Sequence, residues 1–176
     1  MTANWKGVAR ATLEGSESGT TTFLQTLRDL GEAGIDGYAV DFRRSTRTYY
    51  MPNGETLELK TAPTPTPVAE TFDASVVRQA IGDAQQLVPG YTYEGFCAKV
   101  ARAGCAGYVV SLLGRRVLYY GRTGETHTEY FPGAQPVELA EREGFELGGG
   151  MCRVNNLRNS KDILSPVIPS NPRIWQ

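Results

Sequence analysis

The chain has 176 residues, 40% hydrophobic and 21% charged, with a formal net charge of −1, the profile of a globular domain with its own core. That balance excludes a global basic field for nucleic acid, and no apolar run reaches the roughly 18 residues that span a bilayer. The opening MTANWKGVARATLEG has no apolar signal core, and Cys97, Cys105 and Cys152, without CxxC spacing, argue against a disulfide framework or zinc site and fit a reducing cytoplasm.

Residues 3–14 place Trp5, Val8, Ala9, Thr12 and Leu13 at helical period, and SESG at 16–19 is read as the break. A second helix is capped among Thr20 to Thr22, turns Phe23, Leu27 and Leu30 inward, and stops at Ala33 before Gly34. Tyr38, Val40 and Phe42 then alternate as a strand; Thr48 to Tyr50 and Leu57 to Lys60 make two more, with a hairpin signal at Asn53-Gly54. TAPTPTPVAET at 61–71 is too proline-rich for helix or central strand and reads as an extended connector.

After the connector the order recurs. A helix over 74–87, capped at Asp73 or Ser75, carries Val76, Val77, Ala80, Ile81, Ala84 and Leu87 on one face. A fourth helix capped by Thr92 carries Tyr93, Phe96, Cys97, Val100 and Ala101. Strands follow at 107–113, 116–121 and 125–131. Identities repeat at a constant offset: Ala33-Gly34 with Ala103-Gly104, Gly37-Tyr38 with Gly107-Tyr108, Tyr49-Tyr50 with Tyr119-Tyr120, and Gly54-Glu55-Thr56 with Gly124-Glu125-Thr126. Such internal recurrence governs every later assignment. The expected fold is α+β, an internally duplicated α-α-β-β-β unit whose antiparallel meanders pack with helices on one side. The expected domain spans 1–132, with repeats at about 3–60 and 73–131. Beyond it, 133–176 reads as a short helix over 133–143 and an irregular tail.

GIDGYAVDF and TYYMPNGE in the first half, and VRQAIGDAQ, YEGF and AGCAGYVVSLLGRRVLYYGRTGETHTEYFP in the second, resemble the YdfO-like family, a domain of unknown function often labelled phage envelope protein. The resemblance covers roughly residues 20–132. It implies the same α+β fold and a phage or prophage setting, and no reaction.

Two constellations bear on function. Glu125, His127 and Glu129, spaced i, i+2, i+4, share one face of the last strand. A two-residue turn at Thr123-Gly124 would set Arg122 opposite Glu125 and Tyr120 opposite His127, and a histidine beside carboxylates suits general-base work. A metal needs more ligands than these. The second constellation is Asp41 with Arg43, Arg44, Arg47 and Tyr50, where arginines fork onto anions. Each pattern is also what a solvated strand face produces. No phosphate loop, dinucleotide fingerprint or nucleophile elbow occurs.

The reading reached is a non-catalytic, cytoplasmic binding module of phage or prophage type, without cofactor. It takes a small anionic or nucleotide-like ligand through Asp41, Arg43, Arg47, Tyr50, Tyr120, Arg122 and His127, or else a host protein. A homo-oligomer and virion association fit the same picture, and two weak arginine clusters do not make a nucleic-acid site. Two alternatives stay open: a hydrolase or lyase using His127 with Glu125 or Glu129, and a virion-associated structural protein.

Overall fold

A computed structural model describes residues 4–134; residues 135–176, which hold most of the expected short helix and all of the tail, are outside it. The elements run α1 (Trp5–Ser18), α2 (Phe23–Glu32), β1 (Gly37–Asp41), β2 (Thr46–Tyr50), β3 (Thr56–Lys60), α3 (Ala74–Gln85), α4 (Tyr93–Arg102), β4 (Cys105–Ser111), β5 (Arg116–Gly121) and β6 (Thr126–Tyr130). Four helices and one antiparallel sheet make an α+β fold.

Local chemistry sets the boundaries. Asn4 caps α1, and Gly19, with φ 72°, closes it. The helix therefore runs through Ser16-Glu17-Ser18, which had been read as its end: polar residues continue a helix whose inner face is already buried, and only the left-handed glycine stops it. Thr22 and Gln25 form a reciprocal capping box on α2. Asp73 caps α3 and Thr92 caps α4. Phe23, expected inward, is 44% exposed and rests edge-on against Phe131.

The sheet order is β3-β2-β1-β4-β5-β6. Each meander contributes three consecutive strands, and the two first strands, β1 and β4, pair antiparallel at the centre. One face is closed by the helices. It carries Tyr38, Val40, Arg47, Tyr49, Leu59, Tyr108, Val110, Val117 and Tyr119, all buried. Leu30 and Val77 are fully buried on the helical side, each contributing about 1.5–3 kcal/mol by leaving water. The other face is open, with Tyr50, Val109 and Leu118 exposed.

The loops repeat between halves. The β1–β2 and β4–β5 loops each end on a non-glycine residue with positive φ, Ser45 at 50° and Arg115 at 48°. Gly34 and Gly104, and Gly54 and Gly124, share positive φ as well.

Candidate functional site

On the covered face an aromatic row crosses the sheet. Tyr49 packs on Tyr38 at 5.6 Å between ring centres, Tyr38 on Tyr108 at 6.3 Å, Tyr108 on Tyr119 at 5.5 Å, and Tyr119 on His127 at 6.3 Å. Pairs Tyr38–Tyr49, Tyr108–Tyr119 and Tyr119–His127 are directly opposite in the ladders, and Tyr38–Tyr108 is a diagonal, the two geometries in which cross-strand side chains meet.

Arg47 lies in this row, not in the exposed patch with Asp41, Arg43 and Tyr50. It pairs with Val40 and Leu59 and is 1% exposed. Its guanidinium sits 5.0 Å from the Tyr38 ring and 5.4 Å from the Tyr93 ring. Nη2 donates to Tyr93 Oη at 2.8 Å, and that hydroxyl shares a 2.8 Å hydrogen bond with Tyr108. Nε and Nη1 are buried without a partner. The sign of this placement was present in the sequence: Arg47 stands two residues before Tyr49, and alternation puts both on one face. Tyr93, first residue of α4, was expected in the core and is the residue that reaches Arg47.

The open face and its margin gather most of the other expected residues. Asp41 pairs with Gly107, and Gly107 with Tyr120. A side chain at Gly107 would meet the Tyr120 hydroxyl, so glycine lets that ring lie flat across the strand. Burial, with Asp41 nearby, raises the Tyr120 pKa. Asp41 accepts hydrogen bonds from the Arg43 and Arg44 amides at 2.9 and 3.2 Å and an ion pair from Arg43 at 3.4 Å, which fixes the loop. Arg44 is taken up by both oxygens of Glu58, at 3.2 and 3.0 Å. Tyr50 is on the same face but pairs with Gly37, at the opposite end of β1 from Asp41.

Beside that loop opens a groove of about 730 Å³, lined by Phe42, Arg43, Ser45, the connector from Pro63 to Val68, and Arg122. Arg43 and Arg122 come from different halves and both line it. No acidic side chain lines the groove. The connector is pinned to α4 by Thr66 Oγ1 on the Ala98 carbonyl and by the Ala69 amide on the Ala101 carbonyl. Arg122 donates to the Val68 carbonyl at 3.4 Å, across the groove wall.

The β5–β6 register differs from expectation. The Gly121 amide donates to the Glu125 carbonyl and the Gly124 amide to the Gly121 carbonyl, so the loop holds three residues, Arg122 to Gly124. His127 then pairs with Tyr119, and Tyr120 with Thr126. One residue of slip moves every side chain to the other face. His127 and Glu129 thus point toward the helices, while Tyr120 and Arg122 do not. His127 stacks on Tyr119, and its buried Nε2 lies 3.4 Å from a Glu129 oxygen without hydrogen-bond alignment. Glu129 accepts from Gln85 of α3 at 3.1 Å. Glu125 is exposed in the turn. The structure therefore scatters the expected residues: Arg47 lies inside, His127 and Glu129 under α3, Asp41, Arg43, Tyr120 and Arg122 at the open margin, Tyr50 on the open face at the far end of β1, and Glu125 in the exposed β5–β6 turn.

Among the described residues no group of three or more His, Cys, Asp or Glu is placed to hold a metal ion, and no helix is long and apolar enough to cross a membrane. Residues 51–129 match a family model described as Protein of unknown function (DUF1398). That stretch holds Tyr93, Arg122 and His127, and begins after Arg43 and Arg47. No curated protein matches the chain.

Proposed function

We propose that the protein is a non-catalytic binding module for a small anionic ligand of nucleotide-like chemistry, taken up in the groove between Arg43 and Arg122. The carrying observation is that groove: two arginines from separate halves line it and no acidic residue does, although Arg43 is also held by Asp41 at 3.4 Å and Arg122 by the Val68 carbonyl. Its volume falls within the roughly 300–1,000 Å³ of small-molecule sites. Ser45, Thr64 and Thr66 add hydroxyls, and Phe42 with the prolines makes up the apolar part of the lining. Guanidinium forks suit phosphate. The resemblance to a phage-linked family supports a phage or prophage setting, where such a module would sequester a signal molecule. The recurring element order and offset support reading the two halves as a duplicated unit.

The hydrolase or lyase reading draws less support. His127 is stacked and covered, and Glu125 is on the turn away from it.

The test is calorimetric titration of the full chain with inorganic pyrophosphate and a panel of nucleoside mono-, di- and triphosphates. A panel member should bind, and Arg43→Ala or Arg122→Ala should each weaken it roughly tenfold, as loss of a charged hydrogen bond does. Absence of binding across the panel, or unchanged affinity in both variants, overturns the proposal.

A further inference from the structure

Arg47 is the bulkiest fully buried side chain among the described residues, and arginine stays protonated at any working pH. The ion pairs among those residues are Arg43–Asp41, Arg44–Glu58, Lys99–Asp83 and His127–Glu129, so Arg47 has no carboxylate partner. Its one conventional hydrogen bond goes to Tyr93. Nε and Nη1 are buried and unpartnered, and so is the Tyr49 hydroxyl on the same sheet face. The neighbours supply no negative charge. Burial pushes the Tyr38 hydroxyl up to about 12 and raises those of Tyr93 and Tyr108 well above the ordinary phenol value; it also holds the Cys97 thiol at about 12.

A buried guanidinium without a counter-charge is costly, and removing its water leaves each idle N–H group uncompensated. The faces of Tyr38 and Tyr93 offset part of that cost through cation–π contact and leave the in-plane donors free. We propose that the tyrosine cage around Arg47 is an interior binding site for one small monovalent anion, of halide, bicarbonate or formate size. The anion supplies the missing charge and accepts from Nε or Nη1. Arg47 does not line the groove beside the β1–β2 loop and is 1% exposed, so the rings must part to admit even a small anion. Tyr93, half-buried at the first turn of α4, is the cage ring with a solvent-facing side and so the one that would have to move. The counterpart of Arg47 in the second half is Val117, so the described residues offer one such site. This inference is independent of the groove, whose arginines and ligand differ.

The test uses the full chain at constant ionic strength in sodium gluconate, whose anion is too large for the cage. Sodium chloride, formate or bicarbonate is exchanged in while the arginine Nε–H resonances are followed by NMR. One resonance, missing from the Arg47→Met spectrum, should shift saturably with at least one of these anions. The melting temperature should rise with the same half-saturation, as binding to the folded state requires, and Arg47→Met should lose that rise. If Arg47→Met does not fold, Tyr93→Phe keeps the charge and removes the Nη2 acceptor; its half-saturation should differ by roughly threefold or more. An Arg47 resonance that no anion moves overturns the site. So does an anion-dependent melting rise equal in wild type and Arg47→Met, or an unchanged half-saturation in Tyr93→Phe.

Discussion

Ala39 and Val109 stand directly opposite each other at the centre of the sheet and hold matching positions in the two halves of the chain. The ladder is symmetric about them: Tyr38 meets Val110, and Val40 meets Tyr108. Both residues face the open side, so charges placed there should sense each other without disturbing the core. In a double-mutant cycle with urea unfolding, Ala39→Lys and Val109→Glu should show a favourable coupling of about 0.2–1 kcal/mol, the range for opposed strand pairs. A coupling of zero would mean the pair is not in register.

Gly104 and Gly54 both have positive φ, 82° and 87°, and differ in surroundings. A side chain at Gly104 would run into the Thr71 carbonyl, whereas nothing lies within 4 Å at Gly54. Gly54→Ala should cost about 1–2 kcal/mol, the conformational term alone. Gly104→Ala should cost clearly more, because backbone on both sides must shift. Equal losses in chemical denaturation would refute the steric part of this account.

The buried hydroxyls and thiols predict loss of stability in alkali. In the fold the Cys97 thiol rises from 9.0 to about 12 and the Tyr38 hydroxyl from 10.0 to about 12, both chiefly through burial. The folded state keeps these protons longer than the unfolded chain does. Their contribution is therefore whole below the unfolded values and is lost as pH rises through the folded ones. Urea midpoints should hold steady up to about pH 9 and fall steeply toward about pH 12. The tyrosinate absorbance contributed by Tyr38, read as the difference between wild type and Tyr38→Phe, should appear together with unfolding rather than before it. Cys97→Ala should delay the onset of the fall.

The β6 register can be checked through its carboxylates. Glu129→Ala and Gln85→Ala should couple by about 0.5–1.5 kcal/mol, the worth of one hydrogen bond. Glu125→Ala should stay within about 0.5 kcal/mol of wild type, as an exposed turn residue does. The opposite ranking would restore a two-residue turn.

Three helix starts and the connector were legible because each rests on local chemistry: a cap among Thr20 to Thr22, Asp73 or Ser75, Thr92, and the prolines between Pro63 and Pro67; the end of α1 was not, because Ser16-Glu17-Ser18 continue a helix as readily as they break one. Strand alternation was legible too: Tyr38 and Val40 were expected on one face, and both are buried there. What escaped depends on counting. A Thr-Gly pair in a hairpin marks a turn without fixing whether two or three residues form it, and that single residue decided which face His127 takes. Arg47 escaped for another reason. Its charge argued for the surface more loudly than its spacing from Tyr49 argued for the core, and no neighbouring acid in the sequence warned that it would be buried among rings. That Arg43 and Arg122 line one groove needed the tertiary fold, since their loops belong to different halves.

The sheet order carries a last implication, for incomplete chains. The seam between the halves is the β1–β4 ladder, so a polypeptide released after the proline connector would leave β1 as a naked border displaying Tyr38 and Val40. Because the native partner strand carries the same Tyr-x-Val spacing, the nearest substitute is β1 of a second fragment, joined in the same antiparallel alignment about Ala39. Prematurely terminated product should therefore collect as strand-sharing pairs, and co-synthesised full-length protein would do little to dissolve them, its own seam being already closed.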